Sequence, residues 1–378
     1  MELDADSLMI QDMTRRFARE VLAPAAMAWD RGEPLGQSVL DEMARLGLFG
    51  MLVPEAHGGS AISFTAFMTA IEEIAAGDGG ISTLVHVHNL GTCAPIRKLA
   101  NPAQQQQFLP AMARGEMIGA FCLTEPHTGS DAAAIRTRAS RDGDHWVLNG
   151  SKQFVTNGKR AGLAIVAAVT DPEAGKHGIS LFLVPTDTPG FTVSRVEEKL
   201  GQHVSDTALI TLENCRVPQD LMMGERGRAL SSILEVLADG RVSIAAQAVG
   251  MARAAFEHAL AYARERTSFG KPIIEHQAVA FRLADMKMRI EVARQYVYHA
   301  AGLLDAGKPC LQEAAIAKLY AGEMAEKVCS DAIQIHGGYG YTRDFAVERI
   351  YRDVRVCQIY EGTNDIQRML IARTLYNA

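Results

Sequence analysis

The sequence predicts a multidomain α+β chain: a helical domain over residues 1–118, a β-rich domain over 119–225 and a helical bundle over 226–378. Three observations support this prediction. The chain has 378 residues, of which 48% are hydrophobic, enough for two or three domains with large cores. Its residue pattern changes from helical spacing to short β-type segments near residue 119, and long helical spacing returns after residue 226.

In the first region, Ala, Met, Leu and charged residues recur at helical spacing. The pattern is interrupted at Pro54, at Gly58-Gly59 and at Pro102. Because proline and paired glycines end helices, we expect several separate helices here.

Short β-branched or aromatic segments characterise the central region, as at 146–148, 163–169 and 179–184. Turn sequences separate them: Asp142-Gly143, Asn149-Gly150, Asn157-Gly158 and Thr188-Pro189-Gly190. Strands spaced in this way favour a small β-sandwich or β-barrel. Asn149-Gly150-Ser151 also fits a glycosylation sequon, but we interpret it as a turn.

Two apolar seams predict long helices in the last region. One consists of Val242, Ala245, Val249, Ala252, Phe256, Ala259 and Ala263. The other consists of Val279, Leu283, Met286, Ile290, Ala293, Val297, Ala300 and Leu304. Alternating steps of three and four are typical of helices that face one another in an antiparallel bundle.

Composition argues against several classes of protein. A net charge of -6 with 22% charged residues does not suit a nucleic-acid binder. No apolar run reaches the roughly 18 residues of a membrane span, and the acidic segment 1–6 lacks the layout of a signal peptide. The cysteines form no CxxC pair, so we expect reduced core thiols in a cytoplasmic protein: Cys93, Cys122, Cys215, Cys310, Cys329 and Cys357.

Familiar catalytic motifs are missing from the sequence. No Gly-x-Gly-x-x-Gly follows a predicted strand, and there is no Walker loop. His86 and His88 come nearest to a metal pair, but residues two apart on a helix point to different sides. We therefore expect hydrogen-bonding or packing histidines and no metal site. Ser130 lies in no nucleophile elbow.

Five polar or glycine-rich stretches remain as candidate sites, and each could also have a purely structural role. The first, 121–131, begins with a short apolar strand followed by a turn rich in hydroxyl and N–H groups. It suits a polar ring edge or a phosphate, or else it is a capped surface turn. In the second, 152–158, Phe154 and Thr156 lie two apart and would face the same side of a strand. They could present a ring and a hydroxyl to a flat ligand, or simply pack in the core.

The third stretch, 264–270, ends one helix, and His276-Gln277 opens the next. An arginine beside two hydroxyls suits a phosphate, although a solvated helix end has the same composition. The fourth stretch, 334–340, has three glycines in four residues after a helix. A helix C-cap needs only one glycine, so this density favours a ligand or subunit contact.

The fifth stretch, 359–368, places Glu361 on a loop just before a helix that Thr363 or Asn364 can cap. A carboxylate there is either a partner of the helix dipole or a base that reaches into a cavity.

In this order, the five stretches resemble the acyl-CoA dehydrogenase family from Phe17 to Arg373. The most specific motifs are Thr124-Glu125-Pro126 with Gly129-Ser130-Asp131, and Tyr360-Glu361-Gly362-Thr363 with Gln367-Arg368. The resemblance implies the acyl-CoA dehydrogenase fold: an N-terminal helical domain, a central β-barrel and a C-terminal four-helix bundle. It also implies a homotetramer with FAD lying partly across a subunit contact.

By the same resemblance, three groups of residues would contact FAD. The ring and ribityl group comprises Phe121, Cys122, Leu123, Thr124, Gly129, Ser130, Phe154, Val155 and Thr156. The ADP group comprises Arg266, Thr267, Ser268, Phe269, His276, Gln277, Gln334, Ile335, His336, Gly337 and Gly338. Thr363, Asn364 and Asp365 would close over the flavin. The acyl-CoA would touch Ser130, Ala238, Asp239, Arg241 and Gly362.

Some family members carry the catalytic base on a bundle helix, just before the arginine that Arg241 matches. Here that position is Gly240, so the resemblance leaves Glu361 as the one candidate base. Glu361 would take the α-proton of a short or short branched-chain acyl-CoA while the β-hydride passes to the flavin. The thioester carbonyl would be polarised by the Glu361 N–H and a ribityl hydroxyl. The product would be a trans-2-enoyl-CoA, and the electrons would pass to an electron-transfer flavoprotein. The reaction would belong to fatty acid metabolism or branched-chain amino acid catabolism.

Three positions depart from the family pattern. Ala238 stands where an aspartate often helps to hold the pantetheine arm, with Asp239 one residue later on another helix face. His127 replaces a small residue, and His203 replaces a common arginine. Ala238 keeps open the same chemistry on an acyl group bound to a carrier protein. The chain could also be an acyl-CoA oxidase, or a flavin-free, non-catalytic binding or assembly protein.

Overall fold

The structure of the protein, a computed structural model, describes residues 3–376. Met1 and Glu2 of the acidic N-terminal segment lie outside the described residues, as do Asn377 and Ala378. Across residues 3–376, no helix combines the length and apolar character needed to cross a membrane.

Helices build the N-terminal region, as predicted. They are α1 (Ala5–Phe17), α2 (Ala23–Asp30), α3 (Gln37–Arg45), α4 (Phe64–Gly77), α5 (Gly79–His86), α6 (Ala94–Leu99) and α7 (Pro102–Ala113). Pro102 occupies the first turn of α7, where its missing N–H costs nothing, and Asn101 with Gln104 forms a capping box there. A π-helical segment, Val87–Cys93, continues directly from α5.

The middle region is one mixed sheet. Its strands are β1 (Gly119–Cys122), β2 (Arg138–Asp142), β3 (His145–Thr156), β4 (Leu163–Val169), β5 (Ile179–Pro185), β6 (Phe191–Val196), β7 (Thr207–Pro218) and β8 (Met222–Met223). The order is β6-β7-β3-β2-β4-β5-β8, with β1 added parallel to β4. Within the described residues the end strands do not pair with each other: β6 pairs with β7, and the two-residue β8 pairs with β5. The β-rich domain is confirmed, but as an open sheet rather than a closed barrel.

The predicted turn at Asn149-Gly150 was wrong, because both residues lie within β3. The register against β7 shifts between Leu148 and Gly150. The Asn149 side chain accepts a hydrogen bond from the Asn214 N–H at 2.8 Å. A Cβ at position 150 would lie 2.4 Å from Thr137 Oγ1. The glycine therefore allows a close approach at a β-bulge instead of reversing the chain.

The C-terminal region is again helical. Its elements are α8 (Ala229–Glu265), the hairpin β9 (Thr267–Ser268) and β10 (Lys271–Pro272), α9 (Gln277–Asp305), α10 (Leu311–His336), α11 (Ala346–Val354) and α12 (Asn364–Tyr376). Helices α8, α9 and α10 pack against one another, and α12 lies against α10. Both predicted seams are confirmed, since their members are buried except for the partly buried Val279, Leu304 and Phe256.

The six cysteines are free and buried, as expected for core thiols. Burial raises the pKa of the Cys93 thiol well above its usual range and that of Cys122 to about 12, so both stay protonated and unreactive.

A buried ion cluster joins the N-terminal, middle and C-terminal regions. Arg349 Nη1 of α11 donates to Asp78 Oδ2 at 3.2 Å and to Asp353 Oδ2 at 3.0 Å. Gln202, from the loop before β7, donates its backbone N–H and its side-chain amide to Asp353. The three charged residues are each no more than 5% exposed. Asp78 also caps α5 by accepting from the Ile81 N–H at 3.0 Å, so the cluster sets the position of that helix.

Candidate active site

Glu361 lies on the short loop before α12, in a left-handed backbone conformation with φ of 54°. Residues other than glycine rarely adopt this conformation, which is held only where neighbouring contacts enforce it. Gly362 follows with φ of 90°, and Thr363 Oγ1 accepts from the Ile366 N–H at 3.4 Å. The expected cap by Thr363 is thus present, and it fixes where the loop enters the helix.

Two buried side chains hold the carbonyl groups of this loop. Lys318 Nζ donates to the Gly362 carbonyl at 2.8 Å and to Asn364 Oδ1 at 3.1 Å. Gln367 Nε2 donates to the Gly362 carbonyl at 2.9 Å and to that of Glu361 at 3.4 Å. Burial lowers the pKa of Lys318 to about 8, although the nearby Glu361 carboxylate opposes this effect. These contacts account for the strained backbone at Glu361.

The Glu361 carboxylate lies between two helices of different regions. Its Oε1 is 3.0 Å from Nε2 of His86, the last residue of α5. Its Oε2 has no hydrogen-bond partner among residues 3–376, and the side chain is 17% exposed. A Cβ at Gly240 of α8 would lie 3.1 Å from both Cδ and Oε2 of Glu361. The glycine therefore leaves room for this carboxylate, which occupies the space that a side chain at position 240 would need.

Arg241 lies beside this carboxylate and is only 5% exposed. Burial lowers its pKa, and the attraction of Glu361 opposes that effect. Its Nε and Nη1 have no hydrogen-bond partner in the described part of the chain. Ala238 and Asp239 are partly buried on the preceding turn of α8. Burial raises the pKa of Asp239, against the influence of Lys98 and Arg97.

The first and second candidate stretches meet in the middle sheet. The Glu125 carboxylate accepts from the backbone N–H groups of Arg136 at 2.7 Å and Thr137 at 2.9 Å, and from Lys152 Nζ at 2.8 Å. The Gln153 N–H donates to the Thr124 carbonyl at 2.8 Å. This buried support holds the turn and leaves Gly129 and Ser130 exposed.

Phe154 lies at a second bulge of β3, with φ of 57° and 64% of the residue exposed. The bulge disturbs the register before Val155, but burial still alternates from there, with Phe154 exposed, Val155 buried and Thr156 partly buried. An exposed aromatic ring between buried neighbours forms a surface for a flat ligand. Three predicted cofactor residues have core side chains and could contribute only backbone groups: Cys122, Leu123 and Val155. Phe121 and Thr124 are partly exposed.

The third and fourth stretches line a cleft of about 450 Å³. Its walls include Arg266, Gly337 and Gly338, together with Tyr262, Ile273, Ile335, His336, Tyr339 and Thr342. A Cβ at Gly337 or Gly338 would meet nothing within 4 Å, and Gly337 has φ of 62°. A bare glycine surface beside an exposed guanidinium fits the diphosphate of a dinucleotide such as FAD.

The remaining residues of the predicted ADP group lie around this region. Thr267, Phe269, Gln277 and Gln334 are exposed, and Ser268 Oγ is 3.0 Å from His276 Nε2. On the fifth stretch, Asn364 is buried and Asp365 is exposed.

The two histidines that depart from the family pattern, His127 and His203, make structural contacts. His127 Nε2 is 3.1 Å from the Ala134 carbonyl. His203 lies between the carbonyls of Asp30 at 3.0 Å and Lys199 at 2.7 Å.

Sequence reasoning missed that three residues contact the Glu361 loop: His86, Lys318 and Gln367. His86 and His88 do point to different surroundings, as expected, since His88 Nε2 is 3.2 Å from the Met112 carbonyl. The sequence favours a hydrogen-bonding or packing role for His86 but does not identify its partner, because Glu361 is 275 residues away in the chain. No local pattern signals such a contact.

Known protein families and known proteins match this chain over nearly its whole length. Acyl-CoA dehydrogenase domain models match residues 4–116 (N-terminal), 120–215 (middle) and 227–376 (C-terminal). The mitochondrial short-chain specific acyl-CoA dehydrogenase of Rattus norvegicus is 41% identical over 372 residues, covering 98% of this chain and 90% of the relative. Butyryl-CoA dehydrogenase from Megasphaera elsdenii has a TM-score of 0.97 and 38% identity, covering 100% of this chain and 99% of that chain.

A solved chain from work on the electron transferring flavoprotein of Acidaminococcus fermentans and flavin-based electron bifurcation is also similar. Its TM-score is 0.98 at 40% identity, covering 100% of both chains. Together with the domain matches, these likenesses show that the chain belongs to the acyl-CoA dehydrogenase family, whose members are oxidoreductases that act on CH–CH groups with a flavin acceptor.

Proposed function

We propose that the protein is an FAD-dependent dehydrogenase of a short or short branched-chain acyl-CoA, with Glu361 as the base and the trans-2-enoyl-CoA as the product. The observation that carries the proposal is the Glu361 carboxylate, held over Gly240 with its Oε2 unpartnered in the described structure. The names of similar proteins, short-chain specific and butyryl-CoA dehydrogenase, support a short acyl chain.

In the proposed reaction, the Glu361 carboxylate takes the proton from the α-carbon of the thioester. The Glu361 backbone N–H donates to the thioester carbonyl, which stabilises negative charge that develops on its oxygen. A positioned general base contributes roughly 10²–10⁴-fold to the rate, and alignment of the reacting bonds contributes further. Bound FAD supplies the acceptor for the β-hydride. Substrate covering the 17% of the Glu361 side chain that is still exposed would exclude water from the base.

The residues present fit FAD in two places. The exposed Phe154 ring and the turn at Gly129 and Ser130 would face the flavin ring and its ribityl chain. The cleft at Arg266, Gly337 and Gly338 would hold the ADP half, where backbone groups can approach a diphosphate closely.

Replacing Arg266 with alanine should weaken FAD retention, because the cleft loses the guanidinium that would pair with the diphosphate. One charge-assisted contact corresponds to roughly a 10- to 100-fold rise in the FAD Kd. The flavin-to-protein absorbance ratio after dialysis measures this loss. Arg264→Ala is the matched control, since Arg264 is exposed on the same chain segment but does not line the cleft. Equal flavin contents in the two variants would remove Arg266 from the site.

We further propose a homotetramer that passes electrons to an electron-transfer flavoprotein. Phe281, Met288 and Val292 form an exposed stripe on α9, each at least 53% exposed. Their spacing places them on one helix face, which supports burial against another copy. The similarity to the chain from the Acidaminococcus fermentans flavoprotein work supports the electron acceptor.

A second candidate is the same chemistry on an acyl group bound to a carrier protein. Ala238 keeps this candidate open, because this turn of α8 lacks an aspartate that often helps to hold the substrate in the family. Asp239, one residue later, is partly buried near Lys98 and Arg97.

Anaerobic titration of the flavin-loaded protein with C4 to C8 straight and branched acyl-CoAs tests the proposal. We expect a short member to bleach the flavin absorbance stoichiometrically, because the β-hydride reduces the cofactor. Bleaching only by carrier-bound substrate would favour the second candidate. A flavin-loaded protein that no thioester bleaches would contradict both, and a protein purified without flavin would favour a non-catalytic binding role.

A further inference from the structure

His86 is buried at the point where α5 meets the Glu361 loop. Only 2% of the residue is exposed, and its ring has one hydrogen-bond partner on each nitrogen. Nε2 is 3.0 Å from Glu361 Oε1, and Nδ1 is 3.0 Å from Ser243 Oγ of α8. Ser243 is itself fully buried. The ring therefore connects the candidate base to the interior of the bundle.

The partners determine which ring nitrogen carries the proton. An ionised carboxylate only accepts hydrogen bonds, so Nε2 must donate to Glu361. In a neutral ring Nδ1 then has a free lone pair, and the Ser243 hydroxyl can donate to it. This arrangement fixes the Nε2–H tautomer, since the hydrogen bond at one imidazole nitrogen selects the proton position at the other.

Two buried cations, Arg241 and Lys318, are attracted electrostatically by the Glu361 carboxylate. Lys318 is already bonded to the Gly362 carbonyl and to Asn364, whereas Nε and Nη1 of Arg241 have no partner in the described residues. A Glu361 side chain without a directional donor would be free to turn towards Arg241. His86 supplies that donor from a different helix.

We propose that His86 is a positioning residue for Glu361: its Nε2–H holds Oε1, with Ser243 fixing the tautomer, and this keeps the carboxylate aimed at the substrate and away from Arg241. The inference rests on the proposed function, because it assigns Glu361 the role of base. It adds a residue from the N-terminal helical region to the site. The ion cluster of Asp78, Arg349 and Asp353, which positions the start of α5, thereby supports the site as well.

The test separates proton removal from the complete reaction. A 3-thia-acyl-CoA has an acidic α-carbon but no β-hydrogen to lose, so its α-hydrogen exchange in D₂O reports on the base alone. We compare the wild-type holoenzyme with His86→Leu, His86→Gln, Ser243→Ala and Glu361→Gln. For each protein we measure the α-hydrogen exchange rate with the analogue, kcat and KM with a short acyl-CoA, and the FAD content. Glutamine can still present an N–H to Oε1, whereas leucine cannot.

We expect His86→Leu to lower kcat and the exchange rate roughly 10- to 100-fold, with KM and FAD content unchanged. His86→Gln should recover most of the exchange rate, and Ser243→Ala should lose less than His86→Leu does. Exchange in His86→Leu at the wild-type rate, or equal losses in the leucine and glutamine variants, would overturn the proposal. A wild-type rate in Ser243→Ala would remove Ser243 from it.

The role of His86 and the role of Glu361 as base can be disproved separately. Suppose that the wild type catalyses α-hydrogen exchange, that Glu361→Gln does not, and that His86→Leu does so at the wild-type rate. That result overturns only the role of His86. If the flavin-loaded wild type shows no exchange, or if Glu361→Gln exchanges equally fast, the assignment of Glu361 as base fails and the role of His86 fails with it.

Discussion

Glu361→Gln should retain FAD and lower kcat by roughly 10²–10⁴-fold, the range that a positioned general base contributes. The substitution preserves the size of the side chain over Gly240 and an oxygen that can accept from His86. It removes the negative charge of the carboxylate and, with it, the ability to take a proton. Steady-state turnover with a short acyl-CoA, combined with the flavin absorbance of the same sample, measures both properties.

Glu257→Gln is a suitable control for this variant. Glu257 is on α8, with a side chain that is 47% exposed and paired only with Arg253 in the described structure. We expect wild-type turnover from it. Turnover in Glu361→Gln within a few fold of this control would show that another group removes the α-proton.

The largest effect on stability is expected from Arg349→Met. This change leaves the Asp78 and Asp353 carboxylates buried without their shared cation. Removing one partner of a buried ion pair costs about 3–5 kcal/mol in the free energy of unfolding. Thermal unfolding at fixed protein concentration and saturating FAD should show a Tm lower by on the order of 5–10 °C.

The loss of stability in Arg349→Met should also depend on pH. Burial raises the pKa values of Asp78 and Asp353, and Arg349 opposes this effect. A carboxyl with a raised folded-state pKa binds its proton more tightly when folded, so its contribution to stability is lost as pH rises through that pKa. Without Arg349 the pKa values rise further, and the variant should lose more stability at pH 8 than at pH 5.

Arg355→Met is the matched control, because Arg355 is 41% exposed in its side chain and makes a single ion pair of 4.0 Å with Glu326. A surface change of this kind alters stability by about 0.5 kcal/mol or less. Similar Tm values for the two variants would show that the buried cluster is not a major source of stability.

Much of the fold could be predicted because it depends on local patterns. The seams of α8 and α9 follow from residue spacing, and the breaks at Pro102 and Asp142-Gly143 follow from backbone preferences. The prediction of a turn at Asn149-Gly150 was wrong because it relied on the local dipeptide alone, and this dipeptide also suits a β-bulge. The outcome was decided by Thr137 and Asn214, which lie elsewhere in the chain.

The amino-acid sequence was sufficient to predict the order of helical and β regions and to locate the motif around Glu361 and the glycine at position 240, because these are properties of contiguous residues. Only the tertiary structure showed that the sheet is open, that the cluster around Arg349 and Asp353 joins three regions and that His86 lies against Glu361, 275 residues away. Such contacts depend on which distant surfaces pack together. The spacing of side chains along one segment does not identify which residues of a distant segment will contact them.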